Sequence, residues 1–404
     1  CCCVASGGPA GMMLGYLLAR AGVEVLVLEK HGDFLRDFRG DTIHPSTLEV
    51  MHELGLLDEF LKLPHQKVYE LNAQFGEMQL TVADFRHLRT RCGFIALMPQ
   101  WDFLNFLAEK AARYSSFDLK MEAEVTGLIE ESGRMVGVRV NTPGSAIDVR
   151  ADLIIGADGR SSIVREKACL QVKEFGAPMD VLWFRLRRSA EDPAATMGRF
   201  DSGRIFIALN RGDYWQCGYV IAKGQFEDMR RRDIETFRAA IVKLAPYVRG
   251  SVRELRGWED VKLLTVRVDR LSEWFRPGLL CIGDAAHAMS PVGGVGINLA
   301  IQDAVAAANV LFKPLREGQL AIDRLHRIQK RRELPTRVTQ WMQVAVQRRI
   351  IAPVLGETGP LKPPLAVRLI AKLPFLRRIP GRIVGLGIRP EHVSPELIRT
   401  QRKD

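Results

Sequence analysis

Val4-Ala5-Ser6-Gly7-Gly8-Pro9-Ala10-Gly11-Met12-Met13-Leu14-Gly15, running on to Leu28-Glu29-Lys30, is the stretch whose reading decides the fold. An apolar run opens the chain, and glycines and a proline interrupt it. A helical pattern then extends to Arg20, Ala21-Gly22 closes it, and a second apolar run, Val23–Leu28, ends at Glu29. The order is strand, tight turn, helix, strand. Both strands are apolar throughout, as a parallel sheet covered on two faces requires. A dinucleotide pyrophosphate needs backbone N–H groups at a helix N-terminus and no Cβ in the way. Gly8 meets the second need, Pro9 and Ala10 open the helix, and Gly11 lets it pack on the strand, with Gly15 extending that contact. Glu29, with Lys30 after it, stands where an acid accepts hydrogen bonds from the hydroxyls of an adenosine ribose.

Ser6 departs from this pattern, because it occupies the position of the first glycine. A residue with a side chain there costs about 1 kcal/mol if its φ is positive. Weakened nucleotide binding is the largest consequence expected.

Two further segments repeat the device of a strand delivering an acid into a turn of small residues. In Ala151-Asp152-Leu153-Ile154-Ile155-Gly156-Ala157-Asp158-Gly159-Arg160-Ser161-Ser162 the acid is Asp158, beside Gly159. In Gly278-Leu279-Leu280-Cys281-Ile282-Gly283-Asp284-Ala285-Ala286-His287 it is Asp284, and Ser290-Pro291-Val292-Gly293-Gly294-Val295-Gly296-Ile297-Asn298 then leads into a helix expected to reach Leu311. Taken alone, Asp158-Gly159 is only a turn.

Three such units in this order resemble the class A flavoprotein monooxygenases, the para-hydroxybenzoate hydroxylase family, over about residues 1–345. The resemblance implies non-covalent FAD, with NADH or NADPH as a transient co-substrate. It places Asp158 and Gly159 near the pyrophosphate and the nicotinamide path, and Asp284 on the ribityl chain. Arg39 and Gln100 are implied to touch FAD. Pro291 and Gly294 are implied to position the flavin ring, and the N–H groups of Gly294, Val295, Gly296, Ile297 and Asn298 to face its anionic edge. The implied activity is NAD(P)H- and O2-dependent hydroxylation of an aromatic or other electron-rich small molecule through a flavin C4a-hydroperoxide. Two alternatives stay open: a reductase, dehydrogenase or quinone hydroxylase acting on isoprenoid lipid, and a flavin-holding protein without turnover. The Trp-x-Trp-x-Ile-Pro motif of flavin halogenases is missing.

Fold class follows as α/β, a Rossmann-like FAD domain with an inserted mixed or antiparallel β-sheet substrate domain and a helical C-terminal segment. The expected pieces are 1–67, 98–172 and 263–345 for the FAD domain, 68–97 and 173–262 for the substrate domain, and 346–404 for the tail. Residues 46–62 and 100–113 carry helical patterns. Ala123–Glu130, Met135–Asn141 and Ala151–Ile155 read as strands returning to the first sheet. Val181–Leu186, Arg204–Leu209 and Tyr214–Ile221 read as the inserted sheet, with Asn210-Arg211-Gly212-Asp213 as a hairpin turn. Its aromatics Trp183, Phe206, Tyr214 and Trp215 are the substrate candidates, although ordinary sheet packing is the favoured reading of each one taken singly.

The 404 residues exceed one ordinary core, and 47% hydrophobic with 26% charged residues describes a folded chain. Seven cysteines without paired metal spacing read as free thiols in a reducing compartment, hence a cytoplasmic expectation. No metal is expected, and no uninterrupted apolar run spans a bilayer. His287 and His44 read as packed histidines. Arg230, Arg231 and Arg232 read as a solvated face, and nucleic acid is not expected as a partner. The net charge of +11 is uneven, since residues 361–404 hold ten Lys/Arg against three Asp/Glu. Leu365, Leu369 and Leu373 at helical spacing beside Arg368 and Lys372 fit either an interfacial helix on a membrane or one docked on its own domain. Monomer and homodimer both stay open.

Overall fold

The computed structural model describes residues 1–35, 42–193, 196–357, 359, 361 and 363–399, so Arg39 lies outside the described residues. At its centre is a six-stranded sheet. Cys2–Ala5 forms parallel pairs with Val25–Leu28 on one side and Leu153–Gly156 on the other. Phe117–Lys120 and Leu279–Cys281 extend these pairs in parallel, and Phe275–Arg276 closes one edge antiparallel. The register puts Ala5 beside both Leu28 and Gly156, and Gly156 beside Cys281. All four strands therefore end at one edge, and their loops emerge together. That edge is where open parallel sheets bind ligands.

Helix Pro9–Arg20 follows the first strand and packs on the long helix Gly296–Arg316. Both are almost wholly buried. The expected end at Leu311 falls short by more than a turn because Pro314 does not break the helix. Among the described residues one helical stretch, Val292–Arg316, is long and apolar enough to cross a membrane. Gln302 and Asp303 interrupt its apolar sequence, and most of it is buried, packed on helix Pro9–Arg20, as a core helix is.

Strands Glu124–Glu131 and Arg134–Thr142 do not return to the central sheet. With Ser145–Arg150 they form a separate three-stranded antiparallel sheet. The tight turns at Gly133 and Gly144, both with positive φ, fold these strands onto their sequence neighbours. Only the flanking Phe117–Lys120 and Leu153–Gly156 rejoin the parallel sheet.

The aromatic segments form a seven-stranded sheet. Met179–Arg187, Arg204–Asn210 and Tyr214–Ala222 pair antiparallel, and Glu70–Phe75 with Met78–Asp84 complete one edge. Alternation divides its side chains between two environments. Leu182, Phe184, Phe206, Trp215, Cys217 and Tyr219 pack beneath helix Ile234–Leu244 around Phe237. Val181, Trp183, Ile205 and Val220 face the other way and pack in a cluster with Ile351 and Val354, which Val292 joins at its margin.

Helix Ile322–Val346 runs along the central domain, and a π-helical turn, Gln347–Ile351, continues it. Such turns are rare and often sit at functional sites. The remaining tail forms helices Leu365–Lys372 and Arg378–Leu386.

Candidate functional site

The loop after the first strand bears out the geometric cost foreseen for Ser6, whose φ is +94°. Ser6 Oγ accepts the Gly8 N–H at 3.3 Å, so the side chain offsets part of that strain locally. Gly7 N–H donates to Glu29 Oε2 at 2.9 Å and His31 N–H to Glu29 Oε1 at 3.1 Å. The carboxylate is buried beside the glycine turn. A Cβ on Gly8 would be in ordinary van der Waals contact with Ser6 Oγ at 3.7 Å and the Ala157 carbonyl oxygen at 3.9 Å, so the protein's own packing does not demand glycine there. A Cβ on Gly11 would meet the Ser6 carbonyl oxygen at 2.1 Å. Helix and loop can be this close only with glycine at 11. Lys30 is exposed, one residue past Glu29.

We expect Ser6→Gly to raise stability by about 1 kcal/mol through relief of the positive φ, with FAD affinity unchanged or tighter. Fluorescence titration and thermal melts check this. A clear loss of affinity would mean that the hydroxyl itself holds the nucleotide.

Asp158 turns back on its own loop. Ser162 Oγ–H donates to its Oδ1 at 2.5 Å and Val164 N–H to its Oδ2 at 3.1 Å, so it anchors the start of the short helix Ile163–Lys167. Burial pushes its carboxyl above the ordinary aspartate value, against these hydrogen bonds. Gly159 has φ of +82° with nothing near its missing Cβ.

Asp284 begins the next loop and meets a residue that sequence reasoning missed: Arg160 Nε–H donates to Asp284 Oδ2 at 3.1 Å. The second and third acid-bearing loops are thereby joined. The available signal was a lone cation directly after Asp158-Gly159. Asp284→Ala is expected to weaken FAD binding by roughly 1.5–3 kcal/mol, the worth of a hydrogen bond to a charged group. Equilibrium titration of the apoprotein checks it, and undiminished affinity would place the ribityl chain elsewhere.

Beyond Asp284 the chain runs to Pro291, whose carbonyl accepts the Gly294 N–H at 3.0 Å. Gly293 and Gly294 have φ of +79° and +63°, and a Cβ on Gly294 would lie 2.6 Å from Thr42 Oγ1. Thr42 Oγ1–H donates to the Gly294 carbonyl at 2.9 Å. Helix Gly296–Arg316 then begins, so the first-turn N–H groups of Gly296, Ile297 and Asn298 have no intrahelical acceptor. The Asn298 side chain has a structural task. Its Oδ1 accepts from His44 N–H and Thr47 Oγ1–H, both at 2.8 Å, and its Nδ2 donates to the Thr42 carbonyl at 3.0 Å. Gln100 opens its helix just after Leu97, which pairs with Thr42.

The same loop is held from behind by glutamines that sequence reasoning did not single out. Gln343 Nε2 donates to the carbonyls of Ser290 and Val292 at 2.9 Å each, and its Oε1 accepts the Ser290 N–H at 3.1 Å. Gln347 Nε2 donates to Ser290 Oγ at 2.7 Å, and Gln340 Nε2 to the Asp269 carbonyl at 2.6 Å. All three are buried. The signal was their spacing on one face of a helix.

His287 and His44 are packed as expected. His287 Nε2 lies 2.6 Å from Asp303 Oδ2, which also accepts the Gly283 N–H at 3.0 Å. Burial pushes the Asp303 carboxyl up, but His287 and Arg332 outweigh it and hold it below the usual aspartate range. His44 Nδ1–H donates to the Val384 carbonyl at 2.7 Å, and burial lowers its pKa to about 4. It is neutral at physiological pH.

Of the substrate candidates, Trp183 shares a cluster with Val292 of the flavin loop, and its ring lies over Gly218, 3.1 Å from where a Cβ would be. Phe206 and Trp215 are on the opposite face, sealed under helix Ile234–Leu244, because their strand positions have the other parity. Tyr214 stacks beneath Arg185 at 3.8 Å, in a charged surface recess with Glu254, Asp260 and Lys262. All seven cysteines are free. Among the described residues no cluster suited to a metal is present.

Glycine turn, ribose-side acid and two further acid-bearing loops at one sheet edge define a dinucleotide site with an apolar sheet opposite it. The chain matches the FAD binding domain family over residues 2–342. It is 31% identical over 388 residues to 6-methylpretetramide 4-monooxygenase of Streptomyces rimosus, covering 94% of this chain and 91% of that protein. It is 26% identical to the rifampicin monooxygenase of Rhodococcus hoagii, over 74% of this chain but only 61% of that longer one. Among solved structures it is similar to PqsL, a probable FAD-dependent monooxygenase from Pseudomonas aeruginosa, with a TM-score of 0.75, 21% identity and coverage of 88% and 97% of the two chains. It is also similar to the OxyS anhydrotetracycline hydroxylase from Streptomyces rimosus, with a TM-score of 0.75, 22% identity and coverage of 96% and 76%. The chain belongs to the class A family of FAD-dependent monooxygenases and is an FAD-dependent oxidoreductase.

The residues present fit FAD. Gly8, which the protein's own packing does not require, the glycine required at 11, buried Glu29 and the paired Arg160–Asp284 lie on the loops at the sheet edge, with the first turn of helix Gly296–Arg316 after Gly294.

Proposed function

We propose that this chain hydroxylates a polycyclic, polyketide-like aromatic compound, using NAD(P)H and O2. The supporting observation is that Trp183, a partly buried aromatic on the sheet face opposite helix Ile234–Leu244, shares an apolar cluster with Val292 of the flavin loop. The full-length likeness to 6-methylpretetramide 4-monooxygenase points to the same substrate class. When bound, FAD would supply the redox chemistry that couples oxidation of NAD(P)H to transfer of one atom of O2 to the substrate, the other leaving as water. The protein's part is binding, orientation and exclusion of water. Gly8, Pro9, Ala10 and Gly11 hold the pyrophosphate, Glu29 the ribose, and Asp284, steadied by Arg160, the ribityl chain. The first-turn N–H groups of Gly296–Asn298 stabilise negative charge on the reduced ring. Pro291 and Val292 form the floor on which substrate and ring meet.

The test is a panel of polycyclic phenols, simple phenols and isoprenoid quinones, scored by NAD(P)H consumption and by incorporation of labelled oxygen from O2. Stimulated, coupled turnover with polycyclic phenols is expected. Coupled turnover confined to quinones would overturn the substrate class, and stimulated consumption with no oxygen incorporated would overturn the hydroxylation.

A further inference from the structure

The C-terminal helices are docked on one side and unpartnered on the other. On the docked side, Val367 packs against Ala73, Phe75 and Leu80. A Cβ on Gly381 would meet the Asp84 carbonyl oxygen at 2.1 Å, and one on Gly385 the Leu88 side chain at 2.7 Å, so helix Arg378–Leu386 lies tightly against the protein. Val384 accepts the bond from His44. The opposite side carries large apolar side chains into solvent: Leu365 is 80% exposed, Leu369 54%, Leu373 38%, Phe375 60% and Ile379 57%. Arg368, Lys372, Arg378 and Arg382 are exposed among them. From 361 to 390 the chain has seven Lys/Arg and no Asp/Glu.

We infer that this face docks on an anionic phospholipid bilayer. Leucine and phenylalanine interleaved with cations on the outer side of short helices is the composition of an interfacial surface, where apolar side chains enter the acyl boundary and cations meet lipid phosphates. A second copy of the chain fits poorly, since a two-fold contact would set this uncompensated positive face against itself. Nucleic acid would meet the cations but leave the leucines in water. The docked side makes the geometry rigid: Gly381 and Gly385 fix which side chains point outward. The helix that presents Arg378, Ile379 and Arg382 to the bilayer also brings Val384 to within 3.9 Å of a Cβ built on Gly293, so the membrane lies on the tail's side of the flavin loop.

The FAD-loaded protein is sedimented with vesicles of phosphatidylglycerol and phosphatidylcholine, and with phosphatidylcholine alone, at low and physiological salt. Binding to the anionic vesicles that falls with salt is expected, because surface attraction is screened over about 10 Å at 0.1 M. Arg368→Glu/Lys372→Glu/Arg378→Glu is expected to lower partitioning more than about tenfold. Leu365→Ser/Leu369→Ser/Phe375→Ser should leave only weak binding that salt releases completely. Unchanged FAD content shows that both variants are folded. The inference is overturned if the parent protein ignores anionic vesicles at low salt, or binds both vesicle types equally. It is also overturned if sedimentation velocity shows a dimer that the serine variant dissociates, which would give the face to a second copy.

Discussion

Arg332→Met is expected to destabilise the folded protein by about 3 kcal/mol and to loosen FAD. Arg332 is fully buried, with Nε donating to Asp303 Oδ1 at 2.9 Å and Nη1 to Glu391 Oε1 at 3.3 Å. Removing one member of a buried ion network costs about 3–5 kcal/mol, because the partners remain as uncompensated charges. Here the lower end applies. Asp303 keeps His287 and the Gly283 N–H, and Glu391 keeps Arg331, whose Nε donates to both of its oxygens at 2.8 Å. The effect on FAD follows from Gly283, whose N–H is held by Asp303 Oδ2 and whose next residue is Asp284. An Asp303 that has lost Arg332 from Oδ1 is anchored through one oxygen only, and the loop that carries Asp284 is held less firmly. A drop in melting temperature with a parallel rise in the FAD dissociation constant is the expected pair. Arg332→Lys should recover part of the stability, since it restores the charge without the two-armed geometry. A loss below about 1 kcal/mol for the methionine variant would show that the network is replaceable by packing, as some buried ion clusters are.

The parts that the sequence announced are those where one short stretch fixes its own geometry. Ser6–Gly11 shows its turn and its helix start, because the spacing of strand, glycines and helix leaves the backbone few options, whereas the sign of φ at Ser6 is seen only in the structure. The three acid-bearing turns were legible for the same reason. What stayed hidden depends on segments far apart in the chain. Gln340, Gln343 and Gln347 look like the solvated face of a helix until the carbonyls of Asp269, Ser290 and Val292 are seen beside them. Alternation told that Phe206 and Trp183 belong to a sheet, but which face meets the flavin loop is decided by where helix Ile234–Leu244 packs. The strands after Phe117–Lys120 were drawn to the wrong sheet because half-apolar strands satisfy either partner, and the hairpin turns at Gly133 and Gly144 decide between them. For the tail the sequence left docking and an interfacial helix as alternatives, and the structure shows the docked side through Val367, Gly381 and Gly385, with the leucine stripe exposed on the other.

Gly11→Ala carries the sharpest expectation for the cofactor. The added Cβ would lie 2.1 Å from the Ser6 carbonyl oxygen and 3.1 Å from Val4 Cγ1, and the nearer atom is backbone in the pyrophosphate turn itself. The carbonyl oxygen cannot yield by a rotamer change, and Val4 is fully buried. Helix Pro9–Arg20 would have to move away from the first strand, yet it is wedged against helix Gly296–Arg316 on its other side. Overpacking of this kind costs about 1–3 kcal/mol in a rigid core, and here the displacement also carries Gly8 away from the phosphates it must approach. The variant is expected to purify without flavin and to rebind FAD more than about a hundredfold more weakly, roughly 3 kcal/mol. Gly22→Ala separates this from ordinary glycine strain. Gly22 has φ of +75°, but nothing lies within 4 Å of its missing Cβ, so alanine there should cost about 1 kcal/mol of stability and leave flavin affinity untouched. If Gly11→Ala instead binds FAD within about tenfold of the parent, the helix can slide on its sheet, and close contact at this glycine is not what holds the pyrophosphate site in shape.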